Sequence, residues 1–344
     1  MPETEHLARY KFIFLVLFFP CLCHAQKLPD AYADSLLRKG IDNIVNQKYD
    51  LAFGSFVKFI DKYPKSPLGH LYLAAVKIAR ADDYGTQFDD KFITQKLDYA
   101  AKLSEKLISE NPNNKWNIYY LALSRGYAAY YASMQSDYIA AFDDGLESYN
   151  LFTKCVSLDS LFYDSYIALG SYKYWKSAKS SFLNWLPFVE DETDLGIFYL
   201  KKAGNNSSYN NYLAVYSLMW IYIDKDKPHE AVKIAESALK KYPDSRFFKW
   251  GLARAYEDID KNKSIAILQD IMHSLMLEKN LTKLNETVIK HKMAMFYNRL
   301  GRNEESLKLC SEILNINGYN QYEKAALKER LERVKKLRAE LLNK

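Results

Sequence analysis

Residues 216–245 read YSLMWIYIDKDKPHEAVKIAESALKKYPDS, two helical patterns around a polar turn. In the second, Ala231, Ile234, Ala235, Ala238 and Leu239 recur at the spacing of one helix face. In the first, Val215, Leu218, Met219 and Tyr222 form one apolar stripe, and Tyr216, Trp220 and Ile223 form another. The run Asp224-Lys225-Asp226-Lys227 interrupts the pattern. Pro228 suits a first helical turn, where its missing N–H costs nothing. Tyr242-Pro243-Asp244-Ser245 closes the unit. A lone helical hairpin cannot bury both faces, so neighbours of the same kind are expected.

Working outward, the same intervals recur. Gly40, Ala52 and Pro64 lie 12 residues apart, as do Met219, Ala231 and Pro243, and Ala294, Ser306 and Gly318. Pro112 follows Ala100 by 12. Between these units the pattern predicts further helices over 68–79, 91–109, 116–133, 137–157, 161–180, 193–203, 247–258 and 263–277. Asp82–Thr86 reads as a loop. With 12 Gly and 9 Pro in 344 residues there is little turn chemistry for many strands. The last segment, 321–343, places Leu327, Leu331, Val334, Leu337 and Leu341 on one face. It reads as a helix capping the end of an array.

These residues resemble the tetratricopeptide repeat family, with its 34-residue period, small residues where paired helices cross, and frequent Pro at the end of the second helix. The matching positions are Gly40 with Ala52, Gly170, Met219 with Ala231, and Ala294 with Ser306. Met219 departs from the family's small residue and suggests a looser crossing. Tyr297 and Leu300-Gly301-Arg302 add a familiar interhelix turn. The expected fold is all-α, a right-handed α-α superhelix of about seven hairpins over 26–344 with a C-terminal capping helix. The clearest units are 33–66, 212–245 and 285–318.

The resemblance also implies a concave recognition surface on the first helix of each unit. Its positions fall on Tyr127, Tyr130, Tyr131, Tyr174, Tyr216, Trp220, Trp250, Arg254, Asp258 and Asn298. Such a row fits a protein or peptide partner, with glycan as the alternative, although the same aromatics could pack between helices. A separate aromatic stretch around Pro187 makes Trp175, Phe182, Trp185 and Phe188 candidates for a contact loop.

At the N-terminus, Arg9 and Lys11 precede the apolar run 12–19 and a small-residue site at Ala25. This is the pattern of a cleavable secretory signal over 1–25. The run is shorter than the roughly 20 residues of a membrane span. Export to a Gram-negative periplasm or outer membrane is expected, with membrane association peripheral at most after cleavage.

Chemistry is not legible. The nucleotide-binding glycine loops, the nucleophile elbow and the zinc-protease helix motif are all missing. After Ala25 the histidines are His70, His229, His273 and His291, none at metal-ligand spacing. Cys155 and Cys310 sit on apolar helix faces and read as buried thiols. The net charge of +6 is mild for this length and disfavours nucleic acid. No cofactor, metal or catalytic residue is expected, and a non-enzymatic binding protein is the leading reading.

Overall fold

The computed structural model describes residues 28, 30–179, 190–207 and 209–343. The segment 1–25, and Phe182, Trp185 and Phe188, lie outside the described residues. Fifteen α-helices and no strand occur among those described. They pair in chain order as seven antiparallel hairpins: α1 (Ala31–Val45) with α2 (Tyr49–Lys62), α3 (Pro67–Tyr84) with α4 (Asp90–Glu110), α5 (Lys115–Met134) with α6 (Tyr138–Leu158), α7 (Ser165–Lys179) with α8 (Thr193–Asn206), α9 (Asn211–Asp224) with α10 (Pro228–Lys241), α11 (Arg246–Tyr256) with α12 (Lys261–Leu277), and α13 (Lys283–Arg299) with α14 (Asn303–Leu314). A final helix, α15 (Gln321–Leu342), packs on the last pair. The all-α superhelix with its capping helix is thus the observed fold.

Local chemistry explains where the elements begin and end. Asp30, Asp89, Asn114, Asp137, Asp260 and Thr282 each accept a backbone N–H from the first turn of their helix. Asn320 and Glu323 form a reciprocal capping box at the start of α15. Pro67 and Pro228 occupy first-turn positions. Gly85 ends α3 in the left-handed conformation, with φ of 63°. The segment Asp82–Thr86 is therefore only partly a loop. Asp82, Asp83 and Tyr84 continue the helix.

Small residues sit where paired helices cross. Ala52, Ala231 and Ser306 are fully buried. Three serines of second helices bond across their hairpin, Ser148 Oγ to the Ala122 carbonyl, Ser264 Oγ to Ala253 and Ser306 Oγ to Ala294, each at 2.8 Å. At the α7–α8 crossing Gly170 faces Gly196. A Cβ on Gly170 would stand 2.7 Å from the Gly196 carbonyl oxygen, and the reverse distance is also 2.7 Å. The larger Met219 is accommodated by the neighbouring hairpin. Its side chain is fully buried and fills the space left by Gly251 of α11, where a Cβ would stand 2.0 Å from Met219 Cε.

The coil then closes on itself. Helix α3 is buried nearly all round, because it packs inside the array rather than on its rim. Tyr72 of α3 donates to Asn210 Oδ1 at 3.2 Å. Thr282 Oγ1 donates to the Tyr84 carbonyl at 2.8 Å, and Asn285 Nδ2 to the Asp83 carbonyl at 2.8 Å. The principal core accordingly joins residues of α1–α3, such as Leu37, Phe56 and Leu71, to residues of α12 and α13, such as Ile271 and Phe296.

Candidate functional site

Closure of the coil leaves a cavity of about 490 Å3 on the concave side. Its wall is built from the first helices of successive hairpins: Ile44 of α1, Ile78 and Asp82 of α3, Leu123, Tyr127 and Tyr130 of α5, Ile167 and Trp175 of α7, Tyr216 of α9 and Phe247 of α11. Each helix offers one stripe inward, and the superhelix brings those stripes to one place. The volume lies within the range of small-ligand pockets, roughly 300–1,000 Å3.

Of the concave-surface candidates, the cavity gathers Tyr127, Tyr130 and Tyr216. Trp175, read from sequence as part of a contact loop, joins them from α7 and meets the Tyr174 ring edge-on at 5.1 Å. Burial raises the Tyr127 hydroxyl to about 12, so it stays protonated and hydrogen-bonding throughout the physiological range. Tyr130 is 49% exposed, although protein surrounds its hydroxyl and raises its pKa. That combination of access and enclosure marks a concave wall.

The other candidates sit elsewhere. Tyr131 is buried against Phe88 and donates to Asp90. Tyr174 is buried and donates to Asp224 at 2.6 Å. Trp220 packs among the α9–α11 core, edge-on to Tyr216 at 6.1 Å. Trp250 packs against the principal core. Arg254 pairs with Asp258 one turn away at 3.0 Å. Asn298 is half-buried on α13 and does not line the cavity. Helical spacing identifies the residues that share a face, but it does not separate the part of that face turned inward from the part buried by the next hairpin.

Two further features were not found in the sequence. The first is Asp82, which lines the cavity. Burial, and then the neighbouring Asp83 carboxylate, raise it to about 6. The second is Arg246, 1% exposed at the start of α11. Its guanidinium contacts Asp83 at 2.6 Å and Glu278 at 2.6 Å, and its backbone N–H donates to Gln47 Oε1 at 3.0 Å. Burial opposes its charge, but the hydrogen bonds it donates to Asp83 and Glu278 outweigh that and hold the pKa above its usual value. This ion pair fastens α3 to α11 and α12 behind the cavity wall. The one sequence signal was a cation in a first helical turn, where the helix dipole disfavours it.

Among the described residues, no group of three His, Cys, Asp or Glu side chains is placed to hold a metal ion. No helix there is long and apolar enough to cross a membrane. Cys155 and Cys310 are buried free thiols, and burial raises Cys155 to about 12.

Residues 213–245 match the sequence profile of the tetratricopeptide repeat family. No curated protein matches the chain in sequence. Among solved structures, a tetratricopeptide repeat protein of Thermus thermophilus is similar over 65% of this chain and 98% of its own, at 13% identity and a TM-score of 0.40. One from Parabacteroides merdae is similar over 91% and 100%, at 12% identity and a TM-score of 0.38. The C-terminal part of one from Cytophaga hutchinsonii is similar over 86% and 98%, at 16% identity and a TM-score of 0.40. Residues 213–245 are thus a tetratricopeptide repeat unit, and the helical hairpins on both sides of it continue the same paired-helix architecture.

Proposed function

We propose that this protein is a non-enzymatic, exported scaffold that captures a protein or peptide segment in its concave cavity, in the service of cell-envelope assembly. The observation that carries this reading is the cavity itself. Its aromatic wall comes from the inner face of a repeat fold whose members are protein-interaction scaffolds. Aromatic side chains supply large apolar contact with a polar edge, which suits peptide recognition. The basic, apolar and small-residue stretches of 1–25 support export, and a periplasmic or outer-membrane location follows from that reading.

The test uses crosslinking from position 171, which also lines the cavity, in intact cells, followed by fractionation. Tyr130→Ala and Trp175→Ala should weaken capture of the crosslinked partner while leaving the helical content unchanged. Capture that is indifferent to both substitutions would remove the cavity from the interaction. Loss of a glycan-array signal in the same variants, with no protein captured, would favour glycan as the ligand. N-terminal sequencing of extracytoplasmic material should begin at Gln26; an intact Met1 there would overturn cleavage.

A further inference from the structure

The cavity has a one-sided charge. Among the described residues, its lining holds two carboxylates, Asp82 and Asp164, and no lysine, arginine or histidine. Asp164 is already occupied in holding the α8–α9 connection. It accepts Ser207 Oγ at 2.6 Å and the Asn210 backbone N–H at 3.0 Å. Asp82 differs. Its carboxylate has no ion pair or side-chain hydrogen bond among the described residues, and the residue remains accessible from the cavity.

The surroundings of Asp82 are tyrosines. Its charge is felt by the hydroxyls of Tyr130 on α5, Tyr216 on α9 and Tyr322 on α15. Tyr127, Tyr130, Tyr216 and Trp175 contribute aromatic rings to the same region. In a cavity lined by aromatic rings, a carboxylate attracts a cation through its charge, and any ring face the cation meets adds its quadrupole. The apolar wall formed by Ile78, Leu123 and Ile167 suits a hydrocarbon stem.

Building on the proposed capture of a peptide, we infer that the cavity seats a cationic side chain, the ammonium or guanidinium of a lysine or arginine flanked by apolar residues, with Asp82 as its counter-charge. An acidic or neutral segment would leave Asp82 without a partner and bury it further. Asp83 is the other charged neighbour of Asp82 on α3, Arg246 is committed to Asp83 and Glu278, and among the described residues no cation lines the cavity. Because burial and then the Asp83 carboxylate raise Asp82 to about 6, the cation binds the ionised form and its advantage fades as pH falls through that value.

The test titrates the purified chain by calorimetry with acetyl-Leu-Lys-Leu-amide, acetyl-Leu-norleucine-Leu-amide, acetyl-Leu-Glu-Leu-amide and hexylamine. At pH 7.5 the lysine peptide should bind at least tenfold tighter than the norleucine peptide, with the glutamate peptide weakest. In Asp82→Asn, which keeps the size of the side chain and breaks no bond, that preference should shrink to less than twofold with unchanged circular dichroism. Tyr130→Leu should reduce it partly. Equal binding of the lysine and norleucine peptides, a preference that survives Asp82→Asn, or no binding of any probe would overturn the assignment. Asp82-dependent binding of hexylamine with no peptide bound would uphold the cation seat and remove the peptide-capture reading on which it was built.

Discussion

At the scale of single residues, the most consequential position is Arg246. Its side chain and that of Asp83 are 1% and 4% exposed, so neither charge is hydrated. Removing the guanidinium leaves Asp83 buried without its counter-charge. Arg246→Met should therefore cost about 3–5 kcal/mol in urea unfolding. The double variant Arg246→Met with Asp83→Leu should be clearly more stable than Arg246→Met alone, because apolar replacement of both partners removes the stranded charge. If the double variant were no better than the single, the ion pair would not be the source of the loss. His291 supplies a pH dependence. It is 2% exposed, and burial, followed by Arg330, Arg333 and Lys292, lowers it to about 4. The Arg330 guanidinium can only donate, so Nδ1 of a neutral His291 accepts at 3.1 Å. Its ordinary value is near 6.5 in the unfolded chain. Above that pH neither state binds the proton. As pH falls from 6.5 towards 4 only the unfolded state does, and stability drops, by about 3 kcal/mol at the lower limit. His291→Gln, which cannot titrate, should flatten stability across that window. Neither arrangement was legible in the sequence, since Asp83 and Arg246 are 163 residues apart and no local pattern pairs them.

At the scale of helices, much was legible, because periodicity and caps are local. The hairpin at 211–241 lies where its apolar stripes, its Pro228 and its polar turn place it. Helix α3 shows the limit. Its end was misplaced because two adjacent aspartates look like a turn, whereas one of them is neutralised by a distant arginine and the other faces a cavity. The crossing of α7 and α8 gives a sharper test of element packing. Gly170 and Gly196 let the two backbones touch, with each missing Cβ standing 2.7 Å from a carbonyl oxygen. A backbone oxygen cannot move aside like a side-chain tip. Gly196→Ala should separate the helices and cost on the order of 1–3 kcal/mol, as overpacked cores do. Gly54 is the internal control, since a Cβ there meets nothing within 4 Å. It lies within α2, where Gly54→Ala should add roughly 0.5–1 kcal/mol through helix propensity alone. Opposite signs for two Gly→Ala changes, read by thermal unfolding, would separate close approach from propensity.

At the scale of the whole molecule, the sequence implied a superhelix with a concave surface, and the structure adds contacts that join distant hairpins across the coil. An open solenoid is stabilised by nearest-neighbour interfaces, so its ends unfold more easily than its middle. Here the first two hairpins also hold hairpins five to seven through Tyr72, Asn285, Thr282 and the Arg246 ion pair. Closure is a property of accumulated rotation between hairpins, which no single repeat encodes. It also explains why only some of the concave aromatics face the cavity, as α3 occupies space that an open groove would leave free. The consequence is cooperativity. Cys155, buried in the third hairpin, and Cys310, buried beneath α15 in the seventh, report on distant parts of the coil. In the closed molecule both should become reactive to a thiol reagent over the same urea transition, with peptide mapping used to set aside Cys21 and Cys23. In Arg246→Met the long-range tie is lost, and Cys310 should become reactive at lower urea than Cys155. Two separate transitions in the unmodified chain would mean that the repeats unfold as a linear array, and that the contacts across the coil add little to its stability.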